Sequence, residues 1–433
     1  MRRCWVNGSA LALAILFASG RVRANGAFPD ALRIFLPADR PSEIVLATNF
    51  GLITTTDDGV TWNWVCEHGD GTLGAMYQRA APPSQRLFAV APAGLVFSDD
   101  AACSWSVATD LQHTTVTDAF ADPVDPRRVL ALAAFVDPDG EAKNGLFVST
   151  DAGTTFGAPV YVSPPNTTLI SVELSAANPN RMYMTSYASV SASSSHLLRS
   201  DDAGATWTDF DITAMTAGRL ARIAAVDPVD PQKIYLRLTG ADDAIAISTD
   251  GGATIKVRLV LGIGLTALLR RANGQILVSA LDVVGGTLHR STDEGESFVR
   301  MPSTLSIRAL AERSGKIYAA ADNFGDGFAL GVSSDDGLSF QPLMKFDQVV
   351  ATQSCGNLSS ACAATCDMLV GLGVFRRPTC PAGPGLGDAS AGSVRPPAEH
   401  GCGCGISAAS SPVPEVATLL LAIHLARRRR SCR

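Results

Sequence analysis

The stretch SDDAGATW at residues 200–207 has six counterparts along the chain, and this recurrence restricts the fold more than any other feature. The counterparts are TTDDGVTW (55–62), SDDAACSW (98–105), STDAGTTF (149–156), STDGGATI (248–255), STDEGESF (291–298) and SSDDGLSF (333–340), all of the form S/T-x-D-x-G-x-S/T-aromatic. Their aspartates, Asp57, Asp100, Asp151, Asp202, Asp250, Asp293 and Asp335, recur at intervals of 42 to 51 residues. Near-even copies of one short pattern mark a single supersecondary unit used seven times.

Each copy lies between apolar runs, as in GLFVSTDAGTTFGAPV (145–160), and a third run such as KIYLRL (233–238) or RMYMTS (181–186) stands upstream. A fourth, such as LISVEL (169–174) or LARIAAV (220–226), comes earlier still, separated from the third by turn segments like DPVDPRR (122–128). Four short strands joined by tight turns, repeated seven times, predict an all-β, seven-bladed β-propeller running from near Leu32 to near Phe346. The runs are almost continuously apolar because a blade packs against neighbours on both faces. The motif then spans the hairpin between third and fourth strands. There an Asp carboxylate accepts backbone N–H groups, Gly takes a positive φ, and the aromatic carries apolar area between blades.

The motif resembles the Asp box (BNR-type repeat) of sialidases, sortilin-type receptors and a photosystem assembly factor. The resemblance implies a structural role for the seven aspartates, on the face away from the binding site. Two copies depart from the form: Ala102 replaces Gly in the second, and Ile255 replaces the aromatic in the fifth. A structural fastener accommodates both changes more easily than a metal or catalytic loop does.

Both ends of the chain differ from this body. Residues 1–24 read as a secretory signal peptide, with a basic start, the apolar run ALALAILFA (10–18) and Val22-Arg23-Ala24 before the cut. Residues 25–350 are expected to form the propeller, 351–380 a Cys-containing segment and 381–400 a Pro/Gly/Ser linker. In 401–433, Cys402 and Cys404 precede a short apolar run (416–426) and an RRRR cluster (427–430), which suits a membrane segment with its basic side in the cytoplasm. This order resembles the C-terminal sorting tag of myxobacterial surface proteins. It implies cutting by a sorting protease near the cysteines and anchoring at the cell surface or outer membrane. Without both ends, Lys plus Arg falls from 35 to 26 against about 40 acidic residues, so nucleic acid is a poor partner. The cysteines fit an exported protein. Cys66 and Cys103, in consecutive blades, are expected to bridge each other, while Cys355, Cys362, Cys366 and Cys380 leave three pairings open.

No G-x-S-x-G, H-E-x-x-H or Walker loop is present and the six His are scattered, so no catalytic signature, metal site or cofactor is expected. The sharpest enzymatic reading is sialidase-like. Arg33-Ile34-Phe35 is nearest to that family's Arg-Ile-Pro, and Arg222, Arg308 and Glu173 lie on other predicted first strands. Seven boxes, where that family has six blades, weigh against it. Two classes follow: a surface-displayed, non-catalytic binding or scaffolding propeller for a surface glycan or protein, and a glycoside hydrolase, sialidase-like or polysaccharide-degrading. The missing signature favours the first, and carboxylates or an Arg trio converging in the channel would favour the second.

Recognition is expected opposite the motif turns, where irregular loops interrupt the repeat. These loops carry Asp137, Asp139 and Glu141 in blade three, Tyr187 in blade four, and Asp322 and Asp326 in blade seven. The loops of blades three and four form one rim, whose acidic oxygens and aromatic surface suit a cationic or hydroxyl-rich partner.

Overall fold

Seven antiparallel sheets follow one another along the chain, each built from four consecutive strands in the order of the sequence. The computed structural model describes residues 31–380, apart from 67–75, 138, 189–192, 263, 283–284, 354, 356–357 and 377–379. The residues expected to form a signal peptide, a linker and a tag with Cys402 and Cys404 lie outside the described residues. No helix among the described residues is long and apolar enough to cross a membrane. Blade one runs Ala31–Cys66, followed by Met76–Val107, Val116–Val162, Thr167–Asp211, Leu220–Val260, Leu265–Arg300 and Ala309–Met344. The first strands contact one another around the axis. Middle strands such as Ile44–Thr48 and Ala244–Ser248 are buried throughout, whereas the outer strand Lys256–Val260 is largely open to water. The seven-bladed expectation holds, and so does the reason for continuous apolar runs.

One hydrogen-bond network recurs in all seven motif turns. The Asp Oδ1 accepts the backbone N–H four residues on at 2.8–3.0 Å. Its Oδ2 accepts the hydroxyl of that same residue at 2.5–2.7 Å. The Ser or Thr two residues before the Asp donates to Oδ1 and accepts the N–H of the Gly position at 2.8–3.0 Å. These bonds hold two successive residues in the left-handed region, such as Asp58 and Gly59 at φ 58° and 89°. The second copy keeps this backbone without glycine, with Ala101 and Ala102 at φ 57° and 69°. Gly252 shows the packing constraint: a Cβ there would come within 2.3 Å of Leu197 Cδ2 in the preceding blade. The motif aromatics also sit at blade junctions, with Trp62 buried and Trp207 half-buried against Tyr161 of blade three, ring centroids 5.6 Å apart.

The turns joining first to second strands share a face with the motif turns, as Ala152 N–H donates to Arg127 O at 2.7 Å and Ala203 N–H to Asn180 O at 2.9 Å. On this face a cation from one blade reaches the motif turn of the next at five junctions. Arg86 donates to Thr154, Arg199 to Gly251 O, Lys233 to Glu294, Arg271 to Asp336 and Arg313 to Asp58. The last of these closes the ring from blade seven to blade one.

Closure is completed by the segment after blade seven. Ala351–Thr352 pairs in parallel with Asn63 and Trp64, adding a fifth strand to blade one. The helix Leu358–Gly371 and its exit pack Phe375 against Phe50 and Trp64, at 5.9 and 5.1 Å between centroids. The expected Cys66–Cys103 bridge is not formed. Cys66 pairs with Cys362, Cys103 with Cys355, and Cys366 with Cys380. The registers of blades one and two do not bring the first two thiols together, because each faces the segment that folds back over both blades. Bridges spanning 296 and 252 residues each remove about 5 kcal/mol of unfolded-chain entropy in the loop-closure view. A Cys66→Ala/Cys362→Ala variant is therefore expected to unfold at distinctly lower urea concentration than the parent, with blade secondary structure retained in circular dichroism.

The motif network also sets an acid limit. Hydrogen bonds from Thr61 and Thr155 hold Asp57 and Asp151 at about 2, and Asp335 is likewise near 2 through Ser339. Asp202 and Asp293 are lowered in the same way, while in Asp100 and Asp250 partial burial opposes and the hydrogen bonds prevail. Carboxyls depressed on folding stabilise above their ordinary value near 4, and that stability disappears as pH falls towards 2. Thermal unfolding followed from pH 5 to pH 2 is expected to show a steep drop below pH 4, shallower in Asp202→Asn.

Candidate functional site: the channel and the blade three–four rim

The turns with Asp137–Glu141 and Asp322–Asp326 join second to third strands, and most of their acids serve their own loops. Asp137 Oδ1 accepts the N–H groups of Asp139 and Glu141 at 3.0 and 2.8 Å, and its other oxygen lies 3.6 Å from Lys143 Nζ. Asp322 caps the N–H groups of Phe324 and Gly325, and Asp326 accepts those of Asp322 and Ser306. Asp139 and Glu141 are exposed. The blade seven loop stands on another side of the ring from blades three and four, so Asp322 and Asp326 do not join the others in one site.

Beside the Asp137–Glu141 turn lies a polar cleft of about 270 Å³ that the sequence did not disclose. Lys143 and Asn144 line one wall, and Ser163, Asn166, Thr167 and Thr168 the other. Ser163 is spent on Thr167 O at 2.9 Å. Among the described residues the side-chain amides of Asn144 and Asn166 have no hydrogen-bond partner. Tyr187 does not line this cleft: it shares its strand face with Tyr183, which packs against blade five, and its partner Ser195 donates to Arg219 O of that blade.

The second cavity, of about 300 Å³, is the central channel, lined by the first strands of blades one to six. It brings Arg33, Arg222 and Glu173 together, as the enzymatic reading requires, and adds Asp118 and Gln78, which sequence reasoning passed over. The available signal was a lone acid in the apolar run just ahead of DPVDPRR. Arg308 is not among the lining residues. It lies beside Asp326 in blade seven, where its charge partly offsets that carboxyl's burial.

The channel carboxylates have a structural task. First strands of neighbouring blades share no ladder, and their edge N–H groups need acceptors. Asp118 Oδ2 accepts Val172 N–H at 3.0 Å and Glu173 Oε2 accepts Val226 N–H at 3.0 Å, each from the next blade. Arg222 Nη1 is 3.9 Å from Asp118 Oδ1, and Arg33 Nη2 donates to Gln78 at 3.5 Å. Water reaches Arg33 along the channel, yet protein encloses it, and that desolvation lowers its pKa against the fields of Glu173 and Asp118. Burial raises Asp118 to about 6 despite Arg222, and burial with the nearby Asp118 charge raises Glu173 to about 7. Carboxyls raised on folding stabilise the protein at low pH, and this contribution is lost as pH rises from about 4 through 7. The melting temperature is therefore expected to fall between pH 5 and pH 8, and Glu173→Gln to flatten that fall. Among the described residues no group of three or more His, Cys, Asp or Glu stands together as a metal site.

Comparison with known proteins reveals no matching family model and no matching curated relative. Solved structures do match. An ancestral GH74 enzyme superposes with a TM-score of 0.52 at 13% identity over 72% of this chain, which spans 46% of that enzyme's length. YCF48 from Cyanidioschyzon merolae gives 0.47 at 12% identity, covering 67% of this chain and 92% of its own. The BP39L lectin from Burkholderia pseudomallei gives 0.47 at 13% identity, covering 71% and 96%. At such identities the likeness speaks to the fold alone, and the chain is a seven-bladed β-propeller.

Proposed function

We propose that the protein is a non-catalytic binding propeller, exported and displayed at the cell surface, which recognises a hydroxyl-rich partner such as a surface glycan. The observation that carries this reading is the polar cleft between blades three and four. Its unpartnered Asn144 and Asn166 amides and its lysine offer hydrogen bonds to hydroxyls. The recognition surface is the rim, with Asp139 and Glu141 at its edge. Disulfides are compatible with an exported protein. Display rests on the sorting-tag resemblance, with the segment cut or retained as a membrane anchor.

The second reading is a glycoside hydrolase working in the channel. What favours it is the pair Asp118 and Glu173, two convergent carboxyls with raised pKa values, one of them near neutrality as a general acid requires. Against it, both acids already hold the backbone of the next blade. One experiment separates the two readings. Binding to a glycan panel is expected for the parent protein and about tenfold weaker in Asn144→Ala/Asn166→Ala, with the melting temperature kept and no reducing sugar released. Undiminished binding by that variant excludes the cleft. Sugar release that disappears in Glu173→Gln establishes the hydrolase instead.

A further inference from the structure

We propose that a cavity between blades one, two and three, at the face of the motif turns, binds a small uncharged hydroxylated aromatic molecule. Its rings lie against Phe35 and Phe120, and its hydroxyl accepts from the Gln78 amide. Neither the rim reading nor the hydrolase reading requires this site.

The cavity measures about 400 Å³, more than the channel or the cleft, and falls within the range of ligand pockets. Its walls are the ends of three first strands and the turns that follow them, drawn from residues 35–40, 79–84 and 120–123. Asp58 N–H donates to Ser42 O at 2.9 Å, which puts the first of these turns on the motif face. Most of the lining is apolar, with Leu36, Pro37, Pro82 and Pro123 beside the two phenylalanines. Proline fixes its own φ, so these walls are set before a ligand arrives. Phe35 and Phe120 are only half-buried. Ring pairs in offset or edge-on contact gain more than the area they bury, so two phenyl rings favour an aromatic guest over a saturated one of like shape.

The charges around the cavity select against ions of either sign. Arg79 Nη1 lies 2.9 Å from Glu43 Oε1, Arg40 Nε lies 2.7 Å from the other Glu43 oxygen, and Asp39 stands 4.0 Å from Arg40. Arg33 lies in the fields of Glu173 and Asp118. Three arginines thus face four carboxylates, and an entering anion finds no surplus of positive charge. A cation would meet all three arginines in the lining itself, against the single carboxylate of Asp39. An uncharged ligand avoids both conflicts.

Gln78 supplies the polar contact. It is half-buried and lines the channel as well, so it marks the inner end of this cavity. Its Oε1 accepts from Arg33 Nη2 at 3.5 Å, and among the described residues its amide nitrogen donates to nothing. A ligand body that displaces water from this nitrogen must replace the lost hydrogen bond, which a hydroxyl oxygen does. Ser84, the other uncharged polar side chain in the lining, is engaged by Arg86 N–H at 3.2 Å.

Equilibrium dialysis of the full chain against 2-naphthol, naphthalene, 2-naphthoate and decahydro-2-naphthol tests this. The first is expected to bind, naphthalene and decahydro-2-naphthol each about fivefold more weakly, and 2-naphthoate about tenfold or more weakly. Gln78→Leu is expected to bind 2-naphthol and naphthalene alike. Ala38→Trp, at an exposed position of the lining, is expected to lose both ligands with the melting temperature kept. No binding of 2-naphthol, equal binding of 2-naphthoate or of decahydro-2-naphthol, a Gln78→Leu variant that keeps the preference for 2-naphthol, or a folded Ala38→Trp variant that binds like the parent would each overturn the inference. None of the four ligands is a sugar, so failure here leaves both functional readings as they stand.

Discussion

The fold depends on one carboxylate used seven times. In each motif turn the Asp binds a backbone N–H and a hydroxyl four residues on, and this fixes a left-handed pair that would otherwise be unfavourable for residues such as Asp58 or Ala101. With the pair fixed, the glycine position presses onto the preceding blade, as Gly252 does on Leu197, and the acidic residue beside it meets a cation of that blade. A local turn preference thereby sets the distance between neighbouring sheets. Individually the exposed ion pairs contribute little. Their effect comes from repetition around a closed ring, where a shift at one junction must be absorbed by all.

This dependence explains what was legible in the sequence. The motif is local, its chemistry is complete within eight residues, and so blade number, strand order and the shared face could be read directly. Ala102 and Ile255 were readable for the same reason, since each departs from the pattern at a position whose job is known. Asp118 was not readable. It is one acid in an apolar run, and its importance arises from Val172, 54 residues on, and Arg222 two blades away. The cysteine pairing failed on similar grounds. Proximity of Cys66 and Cys103 in adjacent blades suggested a bridge, but the partners came from a returning segment whose path the repeat does not encode.

The channel and the rim illustrate two ways of placing polar groups on a rigid scaffold. The loop acids Asp137, Asp322 and Asp326 look like ligand groups in one dimension and prove to be caps within their own loops. In the cleft, Asn144 and Asn166 carry no motif and become notable only because the fold leaves them without partners. In the channel, Asp118 and Glu173 line the cavity and also tie adjacent first strands. Their raised pKa values follow from that position between two unpaired sheet edges.

The returning segment also determines how the molecule carries mechanical load. A pull applied beyond Cys380 passes through its bridge to Cys366, along four residues of helix to Cys362, and across the second bridge into Cys66 at the end of blade one. From there the tension runs back through blade one to the start of the described chain. Blades two to seven lie in the loop between Cys66 and Cys362 and are off this covalent line of force. Under such a pull the propeller cannot be peeled open from blade seven, the edge where a ring of contiguous blades is otherwise weakest. Such a load would strain the sheet of blade one, with the channel wall that Arg33 provides, and spare the blade three–four cleft.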